Sequence, residues 1–164
     1  GVRLVGSEMC IRDRSETRNA IKNGADEIDY VVNLTKLKAG DTAYIESEMA
    51  RITDICREFS VVSKVIFENC YLTEDEKKTL CHIAAKVKPD FIKTSTGFGT
   101  GGATLEEVAL MKKETEGSGV KIKAAGGIRT LKTALEMIDL GVSRIGSTSS
   151  VAIMEEYMAH SPLL

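Results

Sequence analysis

Short apolar segments alternate with longer amphipathic ones along most of this chain, and that alternation constrains its fold more than any other feature. Five of the short segments predict buried strands, at residues 28–34, 61–67, 91–95, 120–125 and 142–146. Apolar residues in the longer segments recur at steps of three and four, which indicates helices with one buried face. Strands that alternate with helices across short turns run parallel and are joined by right-handed crossovers, so an α/β protein is predicted.

Threonine marks the start of several predicted helices. A glutamate stands three residues after Thr73 and also after Thr104, which predicts a capping box at the start of two helices. Thr130 is predicted to cap a third helix. We expect the inward face of that third helix to consist of Leu131, Leu135 and Ile138. A last helix is predicted at about residues 150–158.

Polar residues gather where the predicted strands end, and this favours a closed barrel over an open doubly wound sheet. These residues are Asp29 with Asn33, then Glu68, Lys93, Lys123 and the turn 146–149. In a (β/α)8 TIM barrel the carboxyl ends of all strands meet at one mouth, whereas an open sheet spreads them along an edge. A complete barrel needs eight strands, and only five can be counted here. We therefore predict an incomplete barrel that carries about the last five β/α units.

The first fourteen residues show neither a clear period nor turn chemistry. We interpret residues 1–14 as a non-native or artefactual segment, ahead of a partial barrel domain at 15–164; the alternative is an unusual native arm. On this interpretation the first three strands of the barrel are absent. An open parallel sheet exposes two edges and a half-covered interior, so we expect this chain by itself to be inactive or poorly folded.

Composition excludes several classes of function. The 164 residues suffice for one core, 43% are hydrophobic and the formal net charge is −2, so neither disorder nor broad attraction to nucleic acid is indicated. Because no apolar run approaches the roughly 20 residues of a membrane span, we expect a cytoplasmic protein with a small-molecule partner. The four cysteines and two histidines lack the spacing of a metal site, and no metal or other cofactor is predicted.

Two lysines stand at the ends of predicted strands, and each leads into a glycine-rich turn. Lys93 opens Lys-Thr-Ser-Thr-Gly-Phe-Gly-Thr, and Lys123 opens Lys-Ala-Ala-Gly-Gly-Ile-Arg. An ammonium is costly to take out of water, and more so beside a second cation, so at least one of the two should be pushed toward the neutral amine. A neutral amine forms an imine with an aldehyde or ketone. We predict that Lys93 forms the imine and that Lys123 activates it; the alternative is a strand-end lysine extending to solvent.

Asp29 and the turns after the strands complete the candidate site. Asp29 lies on a predicted buried strand, where a plain surface carboxylate is hard to explain, and it is predicted to relay protons. The turns after the last two strands are where barrels often hold phosphate with backbone N–H groups. Together with the turn after Lys93, they supply the candidate substrate- and phosphate-binding residues: Thr96, Gly97, Gly126, Gly127, Gly146, Ser147, Thr148 and Ser149. Ordinary tight turns without a ligand are the alternative.

Three segments together resemble the deoxyribose-phosphate aldolases. They read Gly-Ala-Asp-Glu-Ile-Asp at 24–29, Asp-Phe-Ile-Lys-Thr-Ser-Thr-Gly-Phe at 90–98 and Lys-Ala-Ala-Gly-Gly-Ile-Arg-Thr at 123–130. The likeness extends from about Ser15 to about Met158. It implies a class I aldolase that cleaves 2-deoxy-D-ribose 5-phosphate to acetaldehyde and D-glyceraldehyde 3-phosphate, reversibly and without metal.

The resemblance also implies a role for each candidate residue. Lys93 would be the Schiff-base lysine, Lys123 its activating partner and Asp29 a member of the proton relay. The phosphate would lie between the turn at 126–127 and the turn at 146–149. The family usually has alanine where Ser147 stands, a departure that concerns the phosphate site and not the imine chemistry.

Two other functions fit the same residues. One is a phosphosugar isomerase-type barrel that uses acid–base chemistry without an imine, and the other is a non-catalytic phosphosugar-binding or dimer-forming remnant. All three interpretations share a small phosphosugar as the ligand. None of them calls for nucleic acid or a membrane as partner, and a homodimer is left open.

Overall fold

Strands and helices alternate in the computed structural model, which describes residues 7–160, with side chains described from residue 15 onward. The strands are β1 (Glu27–Val31), β2 (Val62–Ile66), β3 (Phe91–Lys93), β4 (Lys121–Ala125) and β5 (Arg144–Gly146). The helices are α1 (Ser7–Lys22), α2 (Leu34–Lys38), α3 (Thr42–Glu58), α4 (Glu74–Val87), α5 (Leu105–Glu114), α6 (Leu131–Asp139) and α7 (Ser150–His160). Every strand overlaps its predicted segment and is shorter than that segment.

All five strands belong to one parallel sheet, in which they lie in chain order from β1 to β5. A doubly wound sheet reverses its strand order at a switch point, whereas a barrel wall does not. Glu27 on β1 and Arg144 on β5 are hydrogen-bonded across one face, so the sheet is strongly curved. The α/β prediction is confirmed, and the described residues form a curved wall whose free edges are β1 and β5.

The core fills the space between the outer face of this wall and the helices. Val65, Ile92 and Ile122 on the three central strands point outward into it, and they pack with Leu80 of α4 and Met111 of α5. Each fully buried aliphatic side chain stabilises the fold by roughly 1.5–3 kcal/mol relative to an exposed one. Side chains alternate along a strand, so the residues directly before and after each of these apolar residues point to the opposite, concave face of the sheet.

The threonine caps are confirmed in part. The Thr73 hydroxyl accepts from the Glu76 amide while the Glu76 carboxylate accepts from the Thr73 amide, which is the predicted capping box. Thr104 caps α5 in the same way, but the Glu107 carboxylate lies 2.5 Å from Lys77 Nζ instead of returning to the cap. The second capping box is therefore wrong, because an ion pair to α4 competes for the same carboxylate. Thr130 caps α6 as predicted.

The predicted inward face of α6 is wrong for two of its three residues. Leu135 and Ile138 are 41% and 51% exposed, whereas Ala134 and Met137 are buried. Neighbouring positions on a helix are about 100° apart, so the buried stripe is displaced by one residue from the one we chose. Leu131 is partly buried against the core, as expected.

Two further expectations concern the start of the chain. The first strand was predicted to be buried, but Val31 is 41% exposed, because β1 is an edge strand and the concave face is open beside it. Helix α1 runs through the predicted boundary between residues 14 and 15. The non-native interpretation of residues 1–14 stays a prediction, since residues 1–6 and the side chains before Ser15 lie outside the described residues.

Candidate active site

The three predicted catalytic residues lie together on the concave face of the sheet. Lys93 and Lys123 are register partners on the neighbouring strands β3 and β4. Lys93 Nζ donates to Asp29 Oδ2 at 3.2 Å, although 64 residues separate the two in sequence. The Lys93 side chain is 12% exposed and that of Asp29 is 32% exposed, so the lysine is mostly covered while the carboxylate remains open to solvent. The structure thus brings a nearly buried amine, a carboxylate and a second amine to one place.

Lys123 has the electrostatic character that the sequence predicted for at least one lysine of the pair. Its pKa is lowered first by burial and then by the nearby charges of Lys64 and Lys93. Gly146 on β5 leaves room for this side chain, since a Cβ at that position would lie 3.4 Å from Lys123 Cε and 3.1 Å from Ala125 Cβ. A lysine whose ammonium form is disfavoured can take up and release protons closer to neutral pH than an exposed lysine.

Lys64 is the residue that the sequence reasoning missed. Its side chain is 1% exposed and projects from β2, where Nζ donates to Asp29 Oδ1 at 2.5 Å and to Glu27 Oε2 at 2.8 Å. Burial acts to lower the pKa of Lys64, but the hydrogen bonds that it donates to Asp29 and Glu27 outweigh this effect and the pKa is raised. A lysine inside the apolar run Val-Val-Ser-Lys-Val-Ile-Phe was the available signal.

Asp29 is held between two cations. Burial acts to raise the pKa of Asp29, but the hydrogen bond from Lys64, followed by that from Lys93, more than offsets it, so the pKa lies below its ordinary value. One carboxylate oxygen faces Lys64 and the other faces Lys93. Asp29 is therefore ionised at neutral pH and can accept a proton next to the Lys93 amine.

The turn after Lys93 is anchored by Glu68. This buried residue follows β2 in a left-handed conformation, with φ of 56°, and accepts from the Thr96 amide at 3.0 Å and from the Thr96 hydroxyl at 2.5 Å. The Thr96 hydroxyl in turn accepts from the Phe98 amide. Gly97, between them, has φ of +93° and open space around it. Thr96 thus acts in this structure as a link between β2 and the turn, and its role in substrate binding stays a prediction.

The Gly126–Gly127 turn is packed against the loop that follows β3. Both glycines have positive φ, 85° and 75°, which L-residues rarely adopt. A Cβ on Gly102 would lie 2.3 Å from the Gly126 carbonyl oxygen, so the two backbones are in close contact. The Ala103 amide donates to the carbonyls of Ala125 and Gly126 at 3.2 and 3.0 Å. The loop after β3 and the turn after β4 therefore form one unit beside Lys123.

Ser147 connects the two turns that were predicted to hold phosphate. Its hydroxyl donates to the carbonyl of Ile128, the residue directly after the glycine turn, at 2.5 Å, and accepts from the Ser149 amide at 2.9 Å. Thr148 and Ser149 lie with it between β5 and α7. The eight predicted binding residues thus fall into two neighbouring turns and the turn after Lys93, and their contact with a phosphate stays a prediction.

The chain is similar to known aldolases over most of its length. The sequence profile of the DeoC/LacD family aldolases matches residues 5–148. The chain belongs to this family. Deoxyribose-phosphate aldolase of Lactobacillus acidophilus is 57% identical over 140 residues, which cover 85% of this chain and 59% of that protein. The corresponding aldolase of Bacteroides thetaiotaomicron is 49% identical over 142 residues, covering 87% of this chain and 59% of that one.

A solved structure agrees with the fold of this family member. The protein titled "QR15, an Aldolase" superposes with a TM-score of 0.83 at 42% identity, covering 92% of this chain and 67% of that one. The chain spans 59% of the length of both curated relatives. The five-stranded wall is accordingly an incomplete barrel of the TIM-barrel family, as predicted.

Two further observations bear on the expected partners. A deoxyribose phosphate aldolase from Aeropyrum pernix, titled as a unique tetramer, superposes with a TM-score of 0.78 at 26% identity, covering 90% of this chain and 61% of that one. Within the described residues no helix is long and apolar enough to cross a membrane. No group of three or more His, Cys, Asp or Glu in that part of the chain could hold a metal ion.

Proposed function

We propose that this family member carries the active site of a deoxyribose-phosphate aldolase that works through an imine on Lys93. The observation that carries the proposal is the contact between Lys93 Nζ and Asp29 Oδ2 at 3.2 Å, with Lys123 in register beside Lys93. Membership of the aldolase family and the names of its relatives support the substrate, 2-deoxy-D-ribose 5-phosphate.

The proposed cleavage passes through an iminium and an enamine on Lys93. The Lys93 amine adds to the C1 aldehyde and water leaves, which gives an iminium. A base removes the proton of the C3 hydroxyl, the C2–C3 bond breaks, and its electron pair moves into the iminium to form an enamine. D-Glyceraldehyde 3-phosphate leaves, C2 of the enamine takes a proton, and water releases acetaldehyde from Lys93.

Asp29 and Lys123 are suited to the proton transfers of this reaction. Asp29 is ionised, lies next to the reacting amine and can accept a proton. Lys123, with its lowered pKa, can supply a proton and return to the neutral form. The turns at 126–127 and 146–149 would hold the phosphate at the mouth of the barrel.

Reductive trapping tests the imine. The chain is incubated with acetaldehyde and borohydride, and modified lysines are located by peptide mass spectrometry. An ethyl group on Lys93, in preference to the exposed Lys132, would support the imine and would contradict our expectation that this chain by itself is inactive. The proposal is contradicted if a version of the chain restored to the length of its relatives shows ethylation that follows only the exposure of each lysine, with none on Lys93.

Lys93→Arg separates the aldolase from the two rival functions. Guanidinium keeps the positive charge but is not a usable nucleophile, so the variant should lose trapping and cleavage completely. An isomerase-type site that needs only the charge should keep part of its activity in this variant. A phosphosugar-binding remnant should bind deoxyribose 5-phosphate without turnover even after the missing strands are restored. A cytoplasmic location and a homodimer remain predictions.

A further inference from the structure

Five charged side chains of alternating sign cross the concave face of the sheet. We call this set the charge row; it runs Lys93, Asp29, Lys64, Glu27 and Arg144. Its members come, in that order, from β3, β1, β2, β1 and β5. The row therefore connects Lys93 on β3 with Arg144 on the last strand. Each neighbouring pair within it is hydrogen-bonded.

Lys64 is the most deeply buried member of the charge row. Only 1% of its side chain is exposed, compared with 32% for Asp29 and 35% for Glu27. A buried ammonium is tolerated only when it is paired and hydrogen-bonded, and here both carboxylates serve that purpose. Neither the imine on Lys93 nor the proton transfers of Lys123 gives Lys64 a role. Its position next to Asp29 therefore needs a separate explanation.

We propose that Lys64 is a positioning residue that keeps Asp29 ionised and directs its second carboxylate oxygen at the Lys93 amine. The catalytic part of this inference rests on the proposed function, whereas its electrostatic part can be measured independently. Lys64 binds Oδ1 at 2.5 Å, which leaves Oδ2 facing Lys93 at 3.2 Å. Glu27 holds Lys64 from the other side at 2.8 Å.

The groups around Asp29 support the choice of Lys64. Lys64 faces Asp29 from β2, Lys93 faces it from β3, Lys123 lies beyond Lys93 on β4, and Glu27 is on the same strand as Asp29. Lys93 would be consumed as an imine during the reaction, and Lys123 has a lowered pKa. Lys64 is the cation that stays charged through the cycle, because its two carboxylate partners raise its pKa.

A carboxylate titration tests the electrostatic part of the proposal. The chain is labelled with 13C in its aspartate carboxyl groups, and the Asp29 signal is followed against pH by NMR. Lys64→Met should move the Asp29 midpoint upward by about one pH unit or more, whereas Lys64→Arg should leave it low. Lys121→Met is the matched control, because Lys121 is on the same face and also lies against Phe91, whereas the cations that lower the pKa of Asp29 are Lys64 and Lys93. An Asp29 midpoint that Lys64→Met does not move would overturn the proposal.

A second measurement needs no substitution and covers the case in which Lys64→Met does not fold. In the unsubstituted chain, the 15Nζ signal of Lys64 should shift with the same acid midpoint as the Asp29 carboxyl signal. Two unrelated midpoints would also overturn the proposal.

The catalytic part is read from acetaldehyde trapping against pH. In Lys64→Met the rate of Lys93 ethylation should fall by roughly 100-fold, with its acid limit displaced upward, and Lys64→Arg should restore most of it. A purely structural role would lower the rate equally at every pH and would contradict the proposal. Failure of the unsubstituted chain to trap acetaldehyde would agree with our expectation that it is inactive by itself, and the titration would then decide the role of Lys64.

Discussion

Glu27 and Arg144 are hydrogen-bonded to each other although 117 residues separate them in sequence. One residue lies on the first strand and the other on the last, so their contact spans the concave face of the wall. Glu27 also accepts from Lys64, which connects this contact to Asp29 and the predicted active site. The curvature of the sheet and the electrostatics of the site are therefore coupled through one carboxylate.

Glu27→Gln should make the chain less dependent on pH for its stability. The hydrogen bonds from Lys64 and then Arg144 lower the pKa of Glu27 from 4.5 to about 2. A carboxylate with a depressed pKa stabilises the folded state fully above its unfolded pKa and loses that contribution as the pH falls toward the folded value. The difference in free energy of unfolding between the chain and Glu27→Gln should be largest at pH 7 and should shrink from about pH 4.5 downward.

Urea unfolding at pH 7, 4 and 3 measures this difference. Glu155→Gln, on the exposed helix α7, is the control and should change little at any pH. A constant difference for Glu27→Gln between pH 7 and pH 3 would show that its carboxylate does not stabilise the fold through its charge.

Thr96→Val should destabilise the turn after Lys93. The Thr96 hydroxyl donates to the buried Glu68 carboxylate at 2.5 Å, and its loss leaves that oxygen without this donor. Leaving a buried acceptor unsatisfied costs about 1–3 kcal/mol. Thr100→Val, at an exposed position of the same loop, should cost much less. Equal unfolding free energies for the two variants would argue against the Glu68 contact as an anchor.

Ser147→Ala should strengthen phosphate binding. The Ser147 hydroxyl accepts from the Ser149 amide at 2.9 Å, so a phosphate that needs this amide must compete with it. Alanine at this position frees the donor, and calorimetric titration with inorganic phosphate should give a lower Kd. Ser143→Ala, at an exposed position before β5, should leave the Kd unchanged. Weaker phosphate binding in Ser147→Ala would show instead that the hydroxyl itself helps to hold the anion.

Gly102→Ala should disrupt the unit formed by the loop after β3 and the turn after β4. The added Cβ would lie 2.3 Å from the Gly126 carbonyl oxygen and 2.9 Å from the Gly127 amide nitrogen, so one backbone must move. Overpacking of this kind typically costs about 1–3 kcal/mol. Gly101→Ala is the control, since its Cβ would meet only the Cys70 side chain, at 3.1 Å. Thermal unfolding that ranks the two variants equally would contradict the close backbone contact.

Much of the local structure was predictable because it depends on neighbours in sequence. Strand positions followed from short apolar runs, and the caps at Thr73 and Thr130 followed from side chains that can bond an amide two or three residues away. The errors arose where a second element intervened. Glu107 pairs with Lys77 on α4 instead of completing a cap, and the buried stripe of α6 is set by what packs against it.

The candidate site divides in the same way. The sequence by itself singled out Lys93, Lys123 and Asp29, since each is a charged residue within or at the end of an apolar run. Only the tertiary structure decided that Lys64 binds Asp29 across 35 positions and that Glu27 meets Arg144. Such pairings depend on strand order, register and curvature, which bring distant residues onto one face and leave no trace in local spacing.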